Sequence, residues 1–149
     1  MEELIKQFNE RGVRYLVIGG QAARLEGVPR FSMDWDLYIP PHDKSNLALI
    51  NTIAGKEFDF PLLPLGPRGE NCIQTYQTRW GIIQFHLGAP GLPRFEDAET
   101  RCVYHSTENG LQVTCISGSD LLAAKEAVNR PQDQIDIEFL RAKRNAGLL

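Results

Sequence analysis

The stretch VIGGQAARLEGVPRFSMDWDLYI, residues 17–39, constrains the fold more than any other part of the chain. It emerges from RYLVIG (14–19), a continuous apolar run of strand formers that reads as a strand buried on both faces. Gly19 and Gly20 then permit a tight turn into a short helix, QAARLEG, which Gly27 stops. Pro29 keeps Val28 out of the helical region and forces a loop. SMDWDLYIP (32–40) alternates strictly, placing Met33, Trp35 and Leu37 on one side of a strand and Asp34, Asp36 and Tyr38 on the other.

The flanking sequence completes an α/β pattern. Leu4, Ile5 and Phe8 share one helical face before Gly12, and residues 43–54 read as a second full helix. Residues 55–71 carry three prolines and three glycines and read as a loop; structureless loops of that length are often functional. CIQTYQT and WGIIQFHLG read as strands joined at Thr78-Arg79. RCVYHST and LQVTCIS form a hairpin turning at Glu108-Asn109-Gly110. Two helices follow, SDLLAAKEAVN and, opening at Pro131, PQDQIDIEFLRAKRNA. The order α-β-α-β-α-β-β-β-β-α-α predicts an α/β (α+β) fold, a short mixed sheet flanked by helices. The expected organisation is one domain over 1–149 with C-terminal helices 119–146 packed on it.

Composition narrows the function classes. A net charge of −3, from 16 basic and 19 acidic side chains, gives no overall nucleic-acid footprint, although a local basic cleft stays open. Cys72, Cys102 and Cys115 are an odd number without C-x-x-C spacing, so they read as buried thiols rather than disulfides or a zinc site. MEELIKQFNERG lacks the apolar core of a signal peptide. No apolar run approaches the roughly 18 residues a membrane helix needs. A soluble, cytoplasmic protein with no membrane partner is expected.

Asp34 and Asp36 pose a chemical question. Two residues along a strand advance roughly 6.5–7 Å with both side chains on one face. Carboxylates that close repel unless one takes a proton or a cation sits between them. Hard cations such as Mg²⁺ use one or two carboxylates plus substrate phosphates. A glycine turn at a helix start offers backbone N–H groups to an anion. Together these parts describe a phosphate cradle facing a metal-binding ledge, the apparatus for phosphoryl or nucleotidyl transfer.

Apolar strand, Gly-Gly, short helix, then apolar-Asp-x-Asp resembles the signature of the DNA polymerase β-type nucleotidyltransferase superfamily. More narrowly, the Arg30, Ser32, Asp34, Asp36, Leu37 series resembles the small nucleotidyltransferases grouped with abortive-infection (AbiEii-like) toxins. Lys125, Arg130, Pro131, Asp133 and Asp136 are similar to that family's closing helices, and GAPGLPRFEDA also matches. Residues 43–75 lie outside the resemblance. It implies a minimal nucleotidyltransferase fold and a bound NTP. The metal ledge is Asp34 and Asp36 with Mg²⁺ (or Mn²⁺), and the nucleotide contacts are Gly19, Gly20, Arg30, Ser32 and Lys125. The implied acceptor hydroxyl belongs to an RNA end, a protein or a small molecule such as an aminoglycoside. A toxin role with an antitoxin partner is implied as well.

The sequence departs from the family pattern at the third carboxylate. Counting back from Gly88 in GIIQFHLGAPG puts Gln84 at that position. Glutamine is neutral, binds metal weakly and cannot deprotonate a hydroxyl. His86 shares the Gln84 face and is either a substitute general base, with an unperturbed pKa of about 6.5, or a polar residue lining the cleft. Two functions therefore stand: a slow nucleotidyltransferase, or a degenerate nucleotide-binding or protein-interaction domain. Lys125 reads as a solvated lysine or a triphosphate contact, and Arg30 as an ion-pair partner or a phosphate ligand. Asp133 and Asp136 are expected to pair with Arg130 or Lys125. Pro61, Pro64, Pro67 and Arg68 form an acceptor lip or an irregular loop.

Overall fold

The computed structural model describes residues 1–149. Helix α1 (Glu2–Arg11) buries Leu4, Ile5 and Phe8. Strand β1 (Leu16–Ile18), helix α2 (Gly19–Leu25) and strand β2 (Trp35–Tyr38) form the constraining unit. Helix α3 (Lys44–Ala54) starts at Asp43, whose carboxylate accepts from the Asn46 N–H; this satisfies one of the orphan donors of the first turn. Strands β3 (Ile73–Thr78) and β4 (Gly81–His86), helix α4 (Phe95–Thr100), strands β5 (Val103–Ser106) and β6 (Gln112–Cys115) follow. Helix α5 (Gly118–Val128) is capped by Ser117, and a 3-10 turn at Pro131–Asp133 leads into α6 (Gln134–Asn145). No helix is long and apolar enough to cross a membrane.

The six strands make one mixed sheet in the order β3-β4-β2-β1-β6-β5. β1 and β2 are antiparallel neighbours at its centre, β2 runs parallel to β4, and β1 runs parallel to β6. The register sets Ile18 opposite Asp36, and Asp36 opposite Gln84. Because side chains alternate along a strand, Ile18, Asp36, Gln84 and His86 share one face, while Val17, Leu37 and Phe85 point to the other. That second face is fully apolar at the centre: Val17, Leu37 and Phe85 are each 0% exposed. A core of 32 buried apolar residues anchors the strand ends that carry the polar face.

Three expectations change. The strand predicted over 32–40 is confined to 35–38, and Met33, expected on one side of it with Trp35 and Leu37, lies outside it and is 74% exposed. The Gln21 amide holds the Ser32 carbonyl at 2.7 Å, and residues 32–34 stay outside the sheet, with a bend at Asp34 before it begins. Helix α4 was not expected; it exists because Phe95 and Ala98 find burial, with Phe95 edge-on to Tyr38 at 5.2 Å. The loop after α3 is tied down rather than free. Asn51 brackets Leu62 and Gln74 brackets Leu63, each by side-chain bonds to the backbone N–H and C=O. Pro61, Pro64, Pro67 and Arg68 line neither chamber of the cleft described below.

Candidate active site

Two adjoining chambers open on the polar face of the sheet. The first, about 500 Å³, is lined by Gly19, Gly20, Arg30, Ser32, Asp34, Asp36 and Lys125, all singled out from the sequence, and by Arg130 and Asp133. The second, about 470 Å³, shares Gly19, Asp36, Lys125, Arg130 and Asp133 and adds Gln84 and His86. Asp36 therefore stands on the boundary between the two.

The glycines line the first chamber and have a packing job as well. α2 has only seven residues and begins at Gly19 itself. Gly19 has φ +65°, and a methyl group there would sit 2.6 Å from Asp36 Oδ2. A methyl group on Gly20 would stand 2.6 Å from Ser32 Oγ. The Gly-Gly pair is the space into which Asp36 and Ser32 pack, so the helix start and the carboxylate ledge touch directly.

Asp34 is exposed and lies before β2, whereas Asp36 is half-buried within it. His86 Nε2 lies 2.8 Å from Asp36 Oδ1. A carboxylate only accepts, so Nε2 carries the proton and donates it. Nδ1 is buried without a protein partner. Both ring nitrogens are thus committed or sealed, and the Asp36 carboxylate is fixed with Oδ2 toward Gly19.

Behind the first chamber lies a run of charges that joins three segments. Arg30 Nη1 meets Asp136 Oδ2 at 2.5 Å, and Lys125 Nζ meets the same oxygen at 2.9 Å. Lys125 also lies 3.6 Å from Asp133 Oδ1, and Arg130 holds Asp133 through Nε at 2.9 Å and Nη2 at 3.1 Å. Lys125 is 8% exposed, so the solvated reading of this residue falls. Its charge is compensated by partners in the next helix and turn, which a pattern confined to α5 could not reveal. The Arg130 hydrogen bonds hold the Asp133 carboxyl below its ordinary range. Three cations against two carboxylates leave this wall with one formal positive charge, while Asp34 and Asp36 line the same chamber.

Phe31 was not among the expected site residues, and Met33 was expected on the side of the strand opposite Asp34 and Asp36. Both line the first chamber, and they are 80% and 74% exposed. Their signal was present as two large apolar residues flanking Ser32 in a loop.

The donor set bears on metal. No group of three His, Cys, Asp or Glu side chains is arranged to hold an ion. Asp34 and Asp36 are the two carboxylates that line the first chamber beside Asp133, which is already held by Arg130 and Lys125; a hard cation held by two carboxylates needs phosphate and water to complete its shell.

This architecture is a nucleotidyltransferase-like fold. A Thermotoga maritima protein, TM1012, assigned as a nucleotidyltransferase, superposes with a TM-score of 0.64 at 14% identity, over 97% of this chain and 89% of its own. ANT(2″)-Ia in complex with adenylyl-2″-tobramycin gives 0.58 at 17% identity, over 97% of this chain and 87% of that one. The solution structure of the antibiotic-resistance factor ANT(2″)-Ia gives 0.50 at 21% identity, over 98% and 91%. No family model matches the sequence, and no curated protein does.

Proposed function

We propose that the chain transfers a nucleoside monophosphate from an NTP to a hydroxyl acceptor. The observation that carries this is the meeting of two chambers at Asp36, one polar and positively backed, the other beside Gln84 and His86. The triphosphate lies in the first chamber against Arg30, Ser32, Lys125 and Arg130, with Gly19 and Gly20 as its floor. Asp34 and Asp36 would hold Mg²⁺ (or Mn²⁺), which when bound neutralises phosphate charge and polarises the α-phosphoryl group.

The acceptor oxygen forms a bond to the α-phosphorus, the bond to the bridging oxygen of the β-phosphate breaks, and pyrophosphate leaves. The hydroxyl proton passes to water. His86 is a positioning residue that aims Asp36, because its Nε2 is engaged and its Nδ1 is sealed. Gln84 supplies no anion at the position facing Asp36, which makes the transfer slow. The resemblance to abortive-infection toxins carries with it a toxin role and an antitoxin partner, which neighbouring genes would test.

One observation favours a second reading. With a neutral Gln84 across from Asp36 and a histidine on one of its two oxygens, the site suits binding without turnover. Incubation with α-labelled ATP, Mg²⁺ and cell extract separates the two. The transfer reading expects label on an acceptor that Asp34→Asn abolishes; nucleotide binding with no labelled product supports the binding domain.

A further inference from the structure

We infer that the second chamber takes a small acceptor with an uncharged, apolar body rather than a polycationic one; this rests on the transfer reading above. The chamber lies against Asp36 and has a volume of about 470 Å³, within the roughly 300–1,000 Å³ range of small-molecule sites. Ile73, Pro90, Leu92, Leu121, Ala124 and Val128 form its apolar wall.

That wall is built rather than incidental. Gly91 lies so close to α5 that a methyl group there would stand 2.5 Å from Ala127 Cβ and 3.1 Å from Ala124 Cα. The glycine has φ +81° and brings the loop that carries the chamber-lining Pro90 and Leu92 up to the helix. Ile73 and Val128, 54% and 45% exposed, offer apolar surface where a ligand would enter.

Charge decides the ligand class. The chamber contains two carboxylates, and each already has a side-chain partner. Asp36 accepts from His86, and Asp133 is held by Arg130 and Lys125. An ammonium group entering here would find Asp133 already paired with Arg130 and Lys125, Asp36 shared with His86 and, in the transfer reading, committed to the metal, and no other anion, so it would lose hydration with little compensation. An apolar ring or aliphatic body would gain by leaving water. A ligand with a hydroxyl on such a body fits both the wall and the neighbouring phosphoryl position.

Binding of 2-naphthol, an uncharged aromatic alcohol at neutral pH, and of tobramycin, a polyammonium sugar, tests this by ligand-observed NMR on the full chain without nucleotide. The native chain is expected to bind 2-naphthol and not tobramycin. Val128→Asp, on a half-exposed helix end, should weaken 2-naphthol by about tenfold or more and create a tobramycin response. Ile73→Asp, on edge strand β3, gives a second variant if the first melts early. Tobramycin binding the native chain as tightly as 2-naphthol overturns the inference. So does the absence of 2-naphthol binding, or its survival in both folded variants. Mg·ATP binding in the same samples keeps the two readings apart. Its loss with the 2-naphthol response intact rejects the transfer reading and supports the ligand class; the reverse rejects only the class.

Discussion

Gln84 is the register partner of Asp36 across the parallel β2–β4 pair, so their side chains stand side by side on the polar face. A ledge of Asp34 and Asp36 thus gains an amide where a third carboxylate would complete a cation site. A glutamine oxygen is a neutral, weaker ligand and cannot take a proton. General-base assistance is typically worth about 10²–10⁴-fold, so under the proposed transfer its absence would slow the chemistry rather than abolish it. Gln84→Asp is expected to tighten Mn²⁺ binding and raise transfer of label from α-labelled ATP. An inert variant that still binds nucleotide favours the binding-domain reading.

His86→Ala separates positioning from proton transfer. If His86 only aims Asp36, the variant weakens Mg·ATP binding while the shape of the kcat pH profile is kept, and His86→Asn recovers part of the affinity. Loss of a titration step from the kcat profile would instead make His86 the base.

Much of this site was legible because its parts are local. Gly19-Gly20 and the Asp-x-Asp pair lie on one strand–helix–strand unit, and short-range pattern suffices to bring them together. What lay beyond sequence reach was contributed by distant segments. The burial of Lys125 depends on Asp133 and Asp136 from the following turn and helix, although their mutual pairing was expected. The strict alternation at 32–40 suggested a longer strand than forms, because Gln21 holds the Ser32 carbonyl and the chain bends at Asp34 before the sheet begins. Six-residue α4 carries too little periodicity to stand out, and it is fixed by Phe95 meeting Tyr38.

Gly19→Ala tests the contact between the helix start and the ledge. A left-handed backbone at a residue with a Cβ costs about 1–2 kcal/mol, and the new methyl group meets Asp36 Oδ2. The variant should lose about that much in urea denaturation and more than that in Mg·ATP affinity. An unchanged affinity would mean that Asp36 does not need its present position.

Lys125→Met removes the central cation of the charged wall. Asp133 and Asp136 keep Arg130 and Arg30, so the loss should fall near the lower end for a broken buried pair, about 3 kcal/mol. Urea denaturation of the variant checks this; a change within error would show that the two arginines suffice.

The Asp133 carboxyl is held below its ordinary value of 3.8, first by the Arg130 side-chain hydrogen bonds. A depressed folded-state pKa adds stability that is fully present above the unfolded value and is lost as pH falls through the folded one. The unfolding free energy should therefore drop as pH falls below about 4. Asp133→Asn should be less stable at neutral pH and show a shallower fall across that acid window. Parallel curves for the two proteins would assign the acid sensitivity elsewhere.

Calorimetric titration of ATP into the chain, with and without Mg²⁺, asks whether Asp34 and Asp36 act on a nucleotide-bound metal. Two carboxylates are a poor cage for Mg²⁺ alone, and triphosphate oxygens must complete its shell. Weak ATP binding is expected without the metal and stronger binding with it, with most of that difference lost in Asp34→Asn. Equal ATP affinity with and without Mg²⁺ would contradict this.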